Sequence, residues 1–239
     1  APSHPSASAL GIEDAVLTDP ASYIPPGKYP GIHQAAFAAC DGRDGVKDGL
    51  IDDPTKCDFD PTVLLCKAGD GPSCLTAPQV AAAKQIYSPA VNPRTGKELF
   101  SSLVPGTELG WGIQALGPEP SFNIYDQYRY VAFKDPKWDW KTFNFDSDIE
   151  RSDTPENLVM NGTDPNMKPF FSHGGKLLMY HGWSDPNVPT LNTIKYYKQS
   201  RSHASAVPVS AGGEIQGHGQ PRRGGEFRLR GAGTGGSRI

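Results

Sequence analysis

Apolar positions along this chain fall into short groups whose spacing changes from one group to the next. Residues 32–40, Ile-His-Gln-Ala-Ala-Phe-Ala-Ala-Cys, are alanine-rich and helical in pattern, and Asp41-Gly42 breaks the run. Thr76-Ala77-Pro78-Gln79 sets a hydroxyl residue three positions before a glutamine, the spacing of a capping box, in which two backbone donors at a helix start are satisfied reciprocally. Val80, Ala83, Ile86 and Tyr87 then mark one helical face, and Ser88-Pro89 ends it. Residues 175–182, Gly-Lys-Leu-Leu-Met-Tyr-His-Gly, form a brief apolar run bounded by glycines and predict a buried parallel strand. A turn over 183–186 follows, and Pro189 suits the first turn of a helix carrying Leu191, Ile194 and Tyr197 on one face.

Elsewhere the pattern is weak. Between residues 92 and 148 aromatic residues abound, among them Trp111, Phe122, Tyr128, Phe133, Trp138 and Trp140, with no regular period. Their area suits them to hold a loop-rich domain together, and nothing in their order says which of them could line a pocket for an aromatic ring. Residues 1–18 are small, polar and proline-containing and predict a poorly ordered leader. Residues 200–239 are rich in Gly, Ser and Arg, and predict a low-complexity tail with no further strand.

Composition supports a chain built largely from turns and short elements. Of 239 residues, 37% are hydrophobic, and 27 Gly with 23 Pro leave limited room for long regular structure. The net charge is -3, and Lys and Arg are scattered until the tail, which argues against a nucleic-acid surface or an anionic membrane partner. No apolar run is long enough to span a membrane. The first residues, Ala-Pro-Ser-His-Pro, show no charged and then apolar pattern of a signal peptide.

Four cysteines, at 40, 57, 66 and 74, lie close together and predict two disulfides and an oxidising, secreted setting. None of their gaps has the C-x2-4-C form common in zinc sites. Four cysteines allow three connectivities, of which the neighbour pairing would clamp residues 40–57 and the turn after them. Asn161-Gly162-Thr163 is a glycosylation sequon, consistent with secretion.

The segment clamped in this way is the chain's most distinctive chemistry. Asp41, Asp44 and Asp48 recur with Gly42, Gly45 and Gly49 between them, so several oxygens can converge where the backbone folds tightly. Calcium wants six to eight oxygens, and the carbonyls of Val46 and Leu50 stand at the alternate positions. The spacing is not that of an EF-hand, and Asp with Gly is also the ordinary composition of a solvated turn.

Taken together, IHQAAFAACDGRDGVKDGLIDDPTKCDFDP, CLTAPQVAAAKQIY, PGTELGW, LLMYHGWSDPNVP and the tyrosine pair at 196 and 197 resemble the fungal tannase and feruloyl esterase family of secreted carboxylic ester hydrolases, over about residues 20–198. The resemblance implies an α/β class chain: a partial α/β-hydrolase core, the strand, Asp turn and helix of 171–199, with a large loop-rich lid domain at 19–170. It implies a structural calcium on Asp41, Asp44, Val46, Asp48 and Leu50. It also implies that Asp185, just past the carboxyl end of a strand where open sheets place functional side chains, is the acid of a Ser-Asp-His triad. The substrate it implies is a small aromatic ester, feruloyl or galloyl, or a plant cell-wall ester.

The sequence also departs from that family. The nucleophile in a Cys-Ser pair before the lid and the histidine in a His-Cys pair after it have no counterpart here, and no G-x-S-x-G occurs. Ser184 sits beside the acid with no nucleophile turn of its own. His218 lacks the following cysteine and lies in the tail, and His173 and His181 read as structural. The expectation is therefore a partial chain, its first hydrolase half absent and its end after about residue 199 out of frame, inactive alone. A reading from another class is a calcium-stabilised, disulfide-linked secreted module that binds a phenolic or glycan ligand without catalysis.

Overall fold

A computed structural model describes residues 3–115, 125–159, 162–203, 215–218 and 226–229. Its helices are α1 (Ser3–Leu17), α2 (Tyr29–Cys40), α3 (Ala77–Ile86), α4 (Gly112–Ala115), α5 (Ser147–Ser152), α6 (Pro155–Leu158), α7 (Lys168–Ser172) and α8 (Thr190–His203), with a π-helix at Gln127–Ala132. Its strands are β1 (Ala90–Val91), β2 (Glu98–Phe100), β3 (Tyr180–Gly182), β4 (Ile215–His218) and β5 (Glu226–Leu229). Asn161 of the sequon and Phe122 lie outside the described residues.

Local chemistry builds much of this. At α3 the Thr76 hydroxyl accepts the Gln79 N–H at 3.4 Å, and the Gln79 amide oxygen accepts the Thr76 N–H at 3.1 Å, so the capping box forms as its residues predict. The same Gln79 side chain takes Lys28 Nζ at 2.7 Å and donates to the Tyr23 carbonyl at 2.8 Å, which makes a local cap into a tertiary anchor. Six Asp-Pro pairs, beginning at Asp19, Asp53, Asp60, Asp135, Asp164 and Asp185, all fold the same way. Each aspartate accepts the backbone N–H two residues on, at 2.8 to 3.1 Å, because proline presets the backbone between the carboxylate and that donor.

Helix α1 overturns the expected leader. Its Ile12 and Val16 enter one buried cluster with Ile32 of α2, Val80 and Ile86 of α3, and Trp111. Its Ala7, Ala9 and Leu10 enter a second with Tyr128, Phe133, Trp138 and Trp140. The helix thus runs between two cores and is apolar on more than one side, which removes the single polar face that would have marked it in the sequence. The aromatic segment keeps its expected role as packing, ring against ring, with Tyr128 and Phe143 centroids 4.7 Å apart.

Two cystines, Cys40–Cys57 and Cys66–Cys74, settle the pairing as that of neighbours, and the described residues contain no free cysteine. The strand expected at 175–182 is shorter and differently placed. Only Tyr180–Gly182 is extended in a sheet, in the order β3-β5-β4, and both pairings are antiparallel. Leu177, Leu178 and Tyr180 are 46%, 60% and 78% exposed, so the run is neither parallel nor buried. The strands at 215–218 and 226–229 likewise replace the strandless tail expected from the sequence, and His218 is the last residue of β4. A third cluster, Val104, Trp183 and Ile194 with Met179, Leu191 and Tyr197, fastens the β3 turn and α8 to the loop after β2.

Candidate active site

The turn after β3 carries Asp185. The aspartate side chain folds back so that Oδ1 accepts the N–H groups of Asn187 at 2.8 Å and Val188 at 3.0 Å. Its Oδ2 lies 3.1 Å from Nε2 of His181, with side-chain exposures of 34% and 13% respectively. Partial burial opposes ionisation, yet the N–H groups of Val188 and Asn187 and the His181 ring outweigh it and hold the carboxyl below the usual carboxylate range. Asp185 is an anion at neutral pH. Among the six Asp-Pro turns it is the one, within the described residues, whose carboxylate meets an imidazole.

Residues far off in sequence hold the turn from outside. Gln114, buried on α4, donates Nε2 to the carbonyls of Pro186 at 2.7 Å and Asn187 at 3.1 Å. Gly110 leaves the space that Pro186 fills: a Cβ there would stand 2.4 Å from the proline Cγ, closer than packed atoms approach. On the α8 side, the Thr190 hydroxyl donates to the Gly182 carbonyl at 2.5 Å and ties the start of the helix to the end of β3. Neither Gln114 nor Gly110 stood out in the sequence beyond its place near PGTELGW. The one signal for His181 was its spacing, four residues before Asp185.

The segment PGTELGW has a core of its own. Glu108 is fully buried and accepts from the Tyr87 hydroxyl at 2.6 Å and the Gly106 N–H at 2.8 Å, and its Oε2 lies 2.7 Å from His33 Nδ1. Burial, then the charge of Glu108 and the hydrogen bond to it, push the Tyr87 phenol well above its ordinary value.

The acidic loop is exposed and laced by its own backbone. Asp41 Oδ1 accepts the N–H groups of Asp48 and Gly49, both at 3.1 Å, Asp44 Oδ1 that of Val46 at 2.8 Å, and Asp48 Oδ1 that of Leu50 at 3.1 Å. Gly45 and Gly49, at φ 97° and 79°, supply left-handed turns that other residues adopt at a cost. No three His, Cys, Asp or Glu side chains among the described residues are grouped closely enough to hold a metal ion. One carboxylate oxygen on each aspartate is committed to the loop, and the three side chains are not gathered round a point. Of the other candidates, His173 bonds the Pro169 carbonyl at 2.6 Å in its own helix, a structural role. His181 takes Thr193 and Asp185 as its partners and leaves Ser184 out of the constellation.

The strand, the acidic turn and the helix, with a helical and aromatic domain packed on the turn, match the fold of solved esterase structures. The crystal structure of feruloyl esterase B from Aspergillus oryzae superposes on 85% of this chain with a TM-score of 0.77 and 26% identity, using 41% of its own length. Tannin acyl hydrolase from Aspergillus niger shares the fold over 86% of the chain, with a TM-score of 0.65 and 20% identity. An esterase of Xanthomonas campestris pv. campestris is 34% identical over 212 residues, 82% of this chain and 37% of its own length. A probable feruloyl esterase B-2 of Aspergillus terreus is 31% identical over 178 residues, 74% of this chain and 33% of its own. The family described as tannase and feruloyl esterase matches residues 4–207, so the chain belongs to that family, and the match starts well before the boundary near residue 20 expected from the motifs. The chain spans about a third of the length of these curated relatives.

Proposed function

We propose that this chain carries the acid and the lid of a serine esterase acting on aromatic carboxylic esters, feruloyl or galloyl. The observation that supports this best is Asp185: an ionised carboxylate at the end of a strand, rigidly held, with a side chain one third exposed. Its role is to accept a hydrogen bond from the catalytic imidazole, fix that ring's tautomer, and stabilise the imidazolium formed as serine loses its proton. By itself the 239-residue chain, which contains no G-x-S-x-G, is expected to leave methyl ferulate and methyl gallate intact.

The decisive test grafts residues 4–199 in place of the matching segment of the Aspergillus oryzae enzyme. The chimera is expected to hydrolyse methyl ferulate, and Asp185→Asn to lower kcat on the order of 10⁴-fold with melting unchanged. A folded Asp185→Asn variant with full activity overturns the role. Ligand binding by the parent chain, with an inactive but folded chimera, would favour the non-catalytic module instead.

We further propose that the loop at 41–50 takes calcium as a structural ion, with Asp41, Asp44 and Asp48 turning their second oxygens inward and Val46 and Leu50 giving carbonyls. The chemistry of the donors and the cystine at its two ends support it. Calorimetric titration of chelator-stripped chain is expected to show binding heat. At a hundredfold excess over Kd, the ion should stabilise the fold by about 2.7 kcal/mol. Neither heat nor a melting shift would leave the loop an ordinary acidic turn.

A further inference from the structure

His181 lies inside the molecule between two polar partners. Its Nδ1 is 2.6 Å from the Thr193 hydroxyl on α8, and its Nε2 is 3.1 Å from Asp185 Oδ2. An ionised carboxylate only accepts, so in the neutral form of the ring the proton is on Nε2. Nδ1 is then an acceptor, and Thr193 must be its donor. The chain of donors therefore has a single direction, from the Thr193 hydroxyl to the ring and from the ring to Asp185.

We propose that His181, oriented by Thr193, is a positioning residue for the Asp185 carboxylate. The torsion that spins a carboxylate about its last bond is soft and broad. Asp185 Oδ1 is fixed at one end by two amide N–H groups, and Oδ2 would be free to swing but for His181. With both ends held, the plane of the carboxylate is set and its remaining lone pairs face outward at the exposed side. An acid that orients a catalytic imidazole needs that fixed presentation, since small errors of geometry cost large factors in rate. His181 is thus a second imidazole on the same carboxylate, turned inward, and does not itself touch substrate. Thr193 is the part that makes the arrangement specific: a ring that merely filled space would need no donor on its far nitrogen.

The inference rests on Asp185 as the esterase acid for its purpose, but not for its geometry, and the experiment separates the two. In the full chain labelled with ¹⁵N-histidine, with His181 assigned by its loss in His181→Phe, the ring is expected to show the Nε2–H tautomer alone. A wild-type Nδ1–H tautomer, or a mixture, overturns the proposal. Amide exchange then reads the clamp: His181→Phe should speed exchange at Asn187 and Val188 on the order of tenfold, the worth of one hydrogen bond to a charged group. His181→Gln, which keeps a donor at the reach of Nε2, should restore protection. Unchanged rates, or an equal loss of protection over the whole chain, overturn it. In the active chimera, His181→Phe should lower kcat with KM held, and His181→Gln should recover it. If Asp185→Asn leaves that chimera fully active, the catalytic role fails while the tautomer and exchange results stand.

Discussion

Glu108 shows how much a single buried charge organises. It takes three donors, from Tyr87, Gly106 and His33, that come from three separate segments. Removing it leaves those half-buried donors unmet, and each unmet donor away from water costs about 1–3 kcal/mol. Glu108→Ala is expected to destabilise the fold by about 3 kcal/mol, read from urea unfolding, with Glu108→Gln costing less because it still accepts from Tyr87. A loss under about 1 kcal/mol would show that water replaces the carboxylate. The aspartates tell the opposite story. All six Asp-Pro turns are written in adjacent residues and could be read without a structure, so turn geometry alone does not distinguish Asp185 from Asp60. What distinguishes it is the ring of His181, and that contact was visible in the sequence only as a spacing of four.

At the scale of elements, the helices α2, α3 and α8 followed their patterns because each buries one face: Ile32, Ala36 and Cys40 on α2, and Val80, Ala83 and Ile86 on α3. Helix α1 did not, because it is buried from two sides. Its place between the cores makes a strong prediction: Leu10→Ala, which removes a fully buried side chain, is expected to cost about 2–5 kcal/mol, against almost nothing for a disordered leader. Thermal melting of that variant tests it, and an unchanged midpoint would return residues 3–17 to the role of a leader. The π-helix at Gln127–Ala132 was not legible either, since a residue inserted into a helical turn leaves no periodic mark. The run at 175–182 was misjudged for a related reason. An apolar run shows that burial is possible, and only the partner elements decide whether it happens.

For the molecule as a whole, tyrosine burial sets an alkaline limit. Burial is the main cause that pushes the Tyr29 phenol up to about 12, and it raises those of Tyr87 and Tyr128 as well. A phenol whose pKa is raised by folding contributes stability that is fully present below its unfolded value near 10 and is lost as pH rises through the folded value. Stability should therefore fall from about pH 10 upward, with the buried tyrosines ionising together as the fold opens. Phenolate absorbance followed against circular dichroism checks this, and independent ionisation of all the tyrosines before unfolding would contradict it. The sequence by itself determined what neighbouring residues decide: the Asp-Pro turns, the capping box, the glycine turns of the acidic loop, the presence of two disulfides, and the motifs of the family. Tertiary structure decided which cysteines pair, that the first helix is core, and that Glu108 meets His33 and Gln114 meets the Asp185 turn. The reason is distance along the chain. A turn or cap is fixed by groups a few bonds apart, whereas contacts spanning some seventy residues depend on how every element between them packs.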